Sequence, residues 1–170
     1  MNLEDRLEPV IEVAARDAAA VDTEGVFPHE AVNALRESGL LGLTLPTDVG
    51  GLGAGPIEFA EITQQLAAAC GSTAMIYLMH ISAAMPIASA PPAIPGVVES
   101  LASGAALGTL AFSERGSRSH FWAPMSKAQR EGDQTRLRAD KSWVTSAGWA
   151  DTYVVSTLSA DGEGPTDTDL

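Results

Sequence analysis

The sequence has 170 residues, of which 45% are hydrophobic and 19% charged, and its 22 acidic and 10 basic side chains give a formal net charge of −12. This length and composition predict a globular chain of one domain or two small ones and exclude a disordered chain. The pI of about 4.4 argues against general binding to nucleic acid, because no net positive field is available to release phosphate counterions.

Neither a targeting signal nor a membrane span is evident. The first ten residues, MNLEDRLEPV, are acidic and lack the basic and apolar segments of a secretory signal. Prolines at positions 86, 91, 92 and 95 interrupt the apolar run that begins at Ile76. The single cysteine, Cys70, excludes an internal disulfide and a CxxC metal site. We therefore expect a cytoplasmic protein with no membrane or nucleic-acid partner.

Residues 1–105 have the pattern of α-helices. From Leu3 to Ala18, apolar side chains recur every three or four residues, which predicts one face of an amphipathic helix. Prolines at helix starts and glycines at helix ends mark the remaining boundaries. The predicted helices are 3–18, 28–39, 56–71, 72–88 and 95–104.

Two features of this helical part have a structural and a functional interpretation. The glycine-rich loop 45–53 superficially resembles a phosphate loop, but no suitable strand precedes it, so a turn is the preferred interpretation. His80 lies on the apolar fourth helix, where a hydrogen-bonded core histidine is more common than a functional one. The three histidines, His29, His80 and His120, are far apart in the sequence and predict no metal site.

Residues 106–170 have the pattern of β-strands. An apolar run at 106–112, alternation at 134–140 and β-forming residues at 151–157 predict strands there. Helices followed by strands predict an α+β fold in which an all-α domain at 1–105 leads into a separate β domain at 106–170. The last ten residues are acidic and loop-like, so we expect this β domain to be incomplete.

Basic residues are concentrated between Arg115 and Lys141. All seven basic side chains of residues 106–170 lie in this window, against four acidic ones when the adjoining Glu114 is included, so the window is locally positive within an acidic protein. A phosphate-bearing ligand would favour such a region. A solvated loop is the alternative, and the sequence does not decide between them.

Two short stretches offer groups suited to a ligand. Residues 112–120, FSERGSRSH, have small and hydroxyl side chains that allow close approach of the backbone and provide donors for anionic oxygens. Residues 141–148, KSWVTSAG, place Trp143 and Thr145 on one face if they form a strand. A planar heteroaromatic ring would then pack on Trp143 while Thr145 bonds its polar edge. Packing of Trp143 in the core is the alternative.

The order and spacing of these pieces resemble the N-terminal part of the acyl-CoA dehydrogenase family of flavoproteins. The matching elements are the helix end at 35–40, the loop 45–53, the strand into Ser113 and Glu114, Ser119, and the stretch 141–145. The resemblance covers essentially the whole chain, although family members are much longer. It implies an N-terminal helical bundle followed by the first part of an antiparallel β-barrel-like middle domain, without the C-terminal helical domain.

The resemblance implies FAD as the cofactor and assigns five residues to the flavin ring. Leu110 and Phe112 would lie beside the ring on the first strand. Ser113 would take the place of the family's threonine and keep the hydroxyl that bonds the ring edge. Trp143 would pack on the flavin, and Thr145 would bond near its N5 atom.

The resemblance also implies an acyl-CoA substrate. Ser119 would contact the FAD pyrophosphate and the substrate's pantetheine–phosphate arm, and Arg118 would contribute to substrate binding. The family's proline, glycine and aspartate in this motif are replaced by Arg115, Arg118 and His120. The added arginines either strengthen binding of an anionic substrate or mark a substrate other than a simple fatty acyl thioester, so the substrate class stays open.

The implied reaction is α,β-dehydrogenation of an acyl-CoA thioester in fatty acid metabolism. In the family a glutamate of the C-terminal domain removes the α-proton while the β-hydride passes to flavin N5, so no catalytic residue is assigned in this chain. By the same resemblance, the fragment alone would be inactive, and the complete protein would be a homo-oligomer with an electron acceptor protein as a possible partner. The alternatives are a flavin-dependent monooxygenase on the same fold and a non-catalytic subunit or gene remnant.

Overall fold

The computed structural model describes residues 2–117, 123–164 and 167–170. Its helical part is built on five α-helices within these residues. Two short 3-10 helices, Leu40–Gly42 and Thr47–Val49, lie between the second and third of them. The α-helices are α1 (Leu3–Glu24), α2 (His29–Glu37), α3 (Pro56–Ala69), α4 (Gly71–Ser89) and α5 (Val97–Ser103).

The helix boundaries follow local capping chemistry. The side chain of Asn2 accepts a hydrogen bond of 2.8 Å from the backbone N–H of Asp5, which satisfies a free donor at the start of α1. Gly25, in the left-handed conformation with φ of 65°, ends α1 six residues beyond the predicted end. Pro56 begins α3, where its missing N–H costs nothing. The helices thus agree with the predicted pattern to within a few residues at most of their ends.

Helix α4 lies at the centre of the structure. It packs against α3 on one side and against the first strand on another. Tyr77 and His80 of this helix are fully buried, together with leucines from the surrounding helices and turns. The near absence of charge on α4 therefore reflects burial inside the protein. Within the part of the chain that the structure describes, no helix has the length and apolar character needed to cross a bilayer.

The strands among the described residues are β1 (Gly108–Ala111), β2 (Gln129–Glu131), β3 (Gln134–Arg136), β4 (Thr152–Val155), β5 (Thr157–Leu158) and β6 (Thr168–Asp169). They form three separate two-stranded pairings. β1 and β4 are parallel, with Gly108 opposite Thr152 and Ala111 opposite Val155. β2 pairs antiparallel with β3, and β5 pairs antiparallel with β6.

These pairings confirm the α+β class. No closed barrel forms among the described residues, and the pair next to the helices is parallel, whereas the other two are antiparallel. The strand predicted at 134–140 is too long, because only 134–136 finds a pairing partner and its side chains are exposed. The predicted strand at 151–157 is divided into β4 and β5.

The glycine-rich loop is a turn packed on the protein's own backbone. Its N–H groups donate inward: Gly51 to the carbonyl of Pro46 at 2.9 Å, and Gly53 to the carbonyl of Leu45 at 2.9 Å. A Cβ at Gly51 would lie only 2.1 Å from the Leu45 carbonyl oxygen, so this close approach requires glycine. The turn interpretation is confirmed, because these donors are not directed toward an external anion.

Helices and strands meet between α5 and β1, on either side of the boundary predicted at residue 105. The imidazole of His80 joins the two parts: its Nδ1 accepts from the N–H of Gly108 at 3.0 Å, and its Nε2 lies 3.1 Å from the carbonyl oxygen of Leu41. The carboxylate of Asp151 also accepts from the N–H of Leu107 at 2.8 Å. The start of β1 is thereby held by side chains from both parts of the chain, and the division into two domains stays a prediction.

Candidate functional site

The two stretches singled out in the sequence lie side by side. The N–H of Ser142 donates to the carbonyl of Ser113 at 2.9 Å, and the N–H of Arg115 donates to the carbonyl of Asp140 at 3.3 Å. Between them is a pocket of about 430 Å³, which we call the serine–tryptophan pocket. It is lined by Ser113, Glu114, Arg115, Gly116, Ser117, Ser142 and Trp143.

Trp143 is the aromatic wall of this pocket. Its side chain is 94% exposed, so the alternative of core packing is wrong. Its φ of 57° is left-handed, a conformation that costs a residue other than glycine about 1–3 kcal/mol. The following residues turn, with the N–H of Ala147 donating to the carbonyl of Val144. The condition under which Trp143 and Thr145 would share one face is therefore not met, because this segment is not a strand.

Hydroxyl groups supply the polar part of the serine–tryptophan pocket. Ser113 and Ser142 are half-buried on its two sides. Ser117 is buried, and its hydroxyl has no hydrogen-bond partner among the described residues. A buried hydroxyl without a partner is unfavourable unless a ligand or water supplies one. The pocket thus combines an exposed aromatic face with hydroxyl groups that have hydrogen-bonding capacity to spare.

The other predicted flavin contacts lie outside this pocket. Leu110 and Phe112 are partly buried and pack against a core cluster that includes Leu45 and Val154. Thr145 lines a neighbouring pocket, and its carbonyl accepts a 2.7 Å hydrogen bond from the hydroxyl of Thr109. The structure therefore brings Ser113 and Trp143 together, while the turn after Trp143 separates Thr145 from them. Ser119, Arg118 and His120 lie outside the described residues.

The neighbouring pocket has an aromatic cluster that sequence reasoning missed. The rings of Phe27 and Trp149 stack with their centroids 5.0 Å apart, and the ring of His29 meets Trp149 edge-on at 4.6 Å. Trp149 is half exposed at the edge of a pocket of about 530 Å³ between the start of α2, the start of α4 and the segment 144–149. No local pattern joins residues 27 and 149, so only the fold reveals this cluster.

An ion pair joins the two stretches beneath the serine–tryptophan pocket. Lys141 Nζ lies 2.6 Å from Glu114 Oε1, and the two side chains are only 10% and 5% exposed. Burial by itself raises the pKa of Glu114, but hydrogen bonds from Lys141 and Ser126 outweigh burial and lower that pKa below its ordinary value. The position of a glutamate directly after Ser113, with a lysine two residues before Trp143, was a signal that sequence reasoning did not use.

Among the described residues, only part of the basic window lies beside this pocket. Of its basic residues that the structure describes, four form ion pairs with carboxylates, and only Arg115 and Lys141 pair beside the two stretches. Arg115 lines the pocket, and its guanidinium is 85% exposed at 3.6 Å from Asp140. The hairpin of β2 and β3 has only exposed residues. Arg115 is therefore the cation that this window brings to the pocket among the described residues.

His80 is the core histidine that the sequence favoured. Because the N–H of Gly108 donates to Nδ1, the proton is on Nε2 and donates to the carbonyl of Leu41. Burial lowers the pKa of His80 to about 4, so the ring is neutral at pH 7. Both ring nitrogens are used within the fold, and the side chain is fully buried.

Comparison with known proteins agrees with this architecture. The family model described as "Acyl-CoA dehydrogenase, N-terminal domain" matches residues 7–91. A probable acyl-CoA dehydrogenase, YngJ of Bacillus subtilis, is 32% identical over 91% of this chain and 44% of its own length. The human mitochondrial short-chain specific acyl-CoA dehydrogenase is 32% identical over 81% of this chain and 34% of its own length. The chain belongs to the acyl-CoA dehydrogenase family.

Solved structures show the same fold. The butyryl-CoA dehydrogenase of Megasphaera elsdenii superposes with a TM-score of 0.76 at 21% identity, over 93% of this chain and 45% of that one. FkbI, from biosynthesis of the methoxymalonyl extender unit of Fk520, superposes with a TM-score of 0.79 at 29% identity, over 92% of this chain and 44% of that one. The chain spans less than half the length of the relatives it matches.

Proposed function

We propose that the protein is an FAD-dependent oxidoreductase of the acyl-CoA dehydrogenase type, acting on an acyl-CoA thioester by α,β-dehydrogenation. The observation that carries this proposal is the serine–tryptophan pocket, in which Ser113 and Trp143 meet although 29 positions separate them in the sequence. Membership of the family and relatives named as acyl-CoA dehydrogenases support it.

The groups in the pocket fit a flavin ring. An isoalloxazine is planar, aromatic and polar along its edges, and the exposed Trp143 ring offers a stacking surface. The hydroxyls of Ser113 and Ser117 offer donors and acceptors, and that of Ser117 has no partner among the described residues. We assign Ser113 to the ring edge and Trp143 to the ring face.

The remaining predicted contacts belong to the same proposal. Leu110 and Phe112 would support the ring from the end of β1, and Thr145 would reach it from the far side of the turn after Trp143. Ser119 and Arg118 would bind the phosphate-bearing arms of cofactor and substrate. These assignments come from the family's motifs.

The chain's own residues bind and orient rather than move protons in this proposal. Bound FAD would supply the acceptor for the hydride leaving the β-carbon. Glu114 is unsuited as a base for the α-proton, because both of its carboxylate oxygens already accept hydrogen bonds. Glu58 accepts from the N–H of Gly55 at the start of α3. We therefore assign no catalytic base within this chain.

The complete enzyme would need partners beyond the acyl-CoA substrate. Flavin reduced by the substrate has to be reoxidised in every cycle, so we propose an electron acceptor protein. We also propose that the complete protein is a homo-oligomer, as the family resemblance implies. Both proposals concern the whole protein, of which this chain corresponds to less than half of the relatives' length.

A flavin-dependent monooxygenase is the second candidate. The nitrososynthase of Micromonospora carbonacea superposes with a TM-score of 0.73 at 25% identity, and its name denotes formation of a nitroso group rather than dehydrogenation. Arg115, which stands in the pocket where the family has proline, also favours a substrate other than a simple fatty acyl thioester. These two observations keep the substrate class of the proposal open.

Flavin retention followed by reduction tests both candidates. The complete protein is purified, incubated with FAD and desalted, and its flavin absorbance is measured. It is then mixed without oxygen with butyryl-CoA or a longer acyl-CoA. Bleaching of the flavin without a second reductant supports the dehydrogenase. Retained flavin that bleaches only with a nicotinamide or flavin reductant supports the monooxygenase. Failure to retain FAD contradicts both and favours a non-catalytic subunit.

A further inference from the structure

The Glu114–Lys141 ion pair lies where the two walls of the serine–tryptophan pocket come together. Glu114 directly follows Ser113, and Lys141 precedes Trp143 by two residues. The two residues also form an antiparallel backbone bridge. Because both side chains are almost completely buried, water does not weaken their attraction as it does on a surface.

Hydrogen bonds extend from this pair into four segments of the chain. Lys141 Nζ donates to the carbonyl oxygens of Phe112, at 3.3 Å, and Ser156. Glu114 accepts from the backbone N–H of Met125 at 3.0 Å, and from the N–H and the hydroxyl of Ser126 at 2.8 and 2.6 Å. The end of β1 and the segments around 125, 141 and 156 are thus fixed relative to one another.

Trp143 itself has little that holds it in place. Its side chain is almost fully exposed and its backbone is in a strained left-handed conformation, so its position depends on the residues beside it. On the N-terminal side of Trp143, the nearest attachments are the Ser142–Ser113 backbone hydrogen bond and the buried Lys141 side chain. A change at Lys141 is therefore transmitted to the tryptophan ring through only one intervening residue.

We propose that the Glu114–Lys141 ion pair is a positioning element of the flavin site. It holds the Ser113 hydroxyl and the Trp143 ring at a fixed separation, so that the flavin ring enters without rearrangement of the pocket. Binding to a preformed pocket avoids the entropy cost of ordering its walls. This inference rests on the proposed function, since it takes FAD as the ligand of the serine–tryptophan pocket.

The test uses the double variant Glu114→Gln/Lys141→Met, which removes both charges and leaves neither one buried alone. Ser126→Ala is a milder variant that removes one hydrogen bond to Glu114 outside the pocket lining. Lys127→Met is the matched control, because Lys127 is an exposed lysine whose ammonium bonds only the carbonyl of Gly162 among the described residues. FAD affinity, the fluorescence of the bound flavin and the unfolding temperature without FAD are measured for each variant of the complete protein.

The double variant should bind FAD at least about 10-fold more weakly than the unaltered protein, as expected for loss of a charged hydrogen-bond network. Its bound flavin should be more fluorescent, because a displaced Trp143 quenches it less. Ser126→Ala should show the same two changes to a smaller extent, and Lys127→Met should show neither. Unfolding temperatures of Ser126→Ala and Lys127→Met should stay close to that of the unaltered protein.

Other results would overturn the inference. Unaltered affinity and fluorescence in the folded double variant and in Ser126→Ala refute a positioning role. If FAD affinity falls only in proportion to the unfolding temperature measured without FAD, the ion pair has a purely structural role. If the double variant does not fold, Ser126→Ala decides alone. Absence of FAD binding by the unaltered protein is a different result, which refutes the proposed function itself.

Discussion

The buried His80 should make the protein less stable in mild acid. In the folded state its pKa is lowered to about 4, because burial disfavours the charged ring, whereas an unfolded histidine has its ordinary pKa of about 6.5. Above pH 6.5 the ring is neutral in both states and its contribution to stability is fully present. As the pH falls from 6.5 toward 4, only the unfolded state takes up the proton, so stability is lost.

The size of this loss follows from the difference between the two pKa values. Linkage gives a decrease of about 2 kcal/mol between pH 7 and pH 5, and about 3 kcal/mol in total once the pH is below 4. This is a large share of the stability of a typical small domain. The Gly108 N–H aimed at Nδ1 opposes protonation further, because the protonated ring has no acceptor left for it.

Urea unfolding of the protein and of a His80→Gln variant at pH 7 and pH 5 measures this effect. His80→Gln is less stable at both values, since it replaces a well-packed ring, but it has no group at residue 80 that titrates. The remaining histidines and carboxylates are common to both proteins and cancel in the comparison. The unaltered protein should therefore lose about 2 kcal/mol more than the variant does. Equal losses would show that His80 is not buried as a neutral ring.

Three further substitutions test other parts of the structure. Trp143→Ala should weaken FAD binding by about 0.5–1.5 kcal/mol, because it removes the exposed stacking surface. Trp149→Ala, in the neighbouring pocket, is the control. Unchanged FAD affinity after Trp143→Ala would show that Trp143 is an ordinary surface residue. Gly51→Ala should lower the free energy of unfolding by about 1–3 kcal/mol, because the new Cβ meets the Leu45 carbonyl, and Gly71→Ala, where nothing lies within 4 Å, should change it little. Tyr77→Phe should leave stability unchanged or raise it by up to about 1 kcal/mol, since the buried hydroxyl has no partner among the described residues; clear destabilisation in urea would reveal a partner for it.

Much of the helical part could be predicted because its signals are local. Each helix signal affects only residues within one or two turns of it, as shown by Pro56, Gly39 and the spacing of apolar residues in α1. The local sequence therefore contains the cause of each of these boundaries. The turn at 45–53 was also predictable, because no strand precedes it as a phosphate loop requires. The burial of His80 was predictable because it lies on an apolar helix.

The β part was harder to predict because its partners are distant. β1 pairs with β4 more than 40 residues later, and nothing near either strand specifies the parallel direction. Residues 137–140 alternate like a strand but pair with no other strand, so their pattern alone did not make them a strand. A strand through Trp143 and Thr145 would have put both side chains on one face, whereas the chain turns there with a positive φ.

Residue type and spacing were enough to predict the family, the α+β order and the two stretches that form the candidate site. Which of those residues share a pocket became known from the folded chain alone. It joins Ser113 to Trp143, separates Thr145 from them by a turn, and buries Glu114 against Lys141. The physical reason is that burial and ion pairing arise between segments that are distant in the chain, and their geometry exists only once the intervening residues have folded.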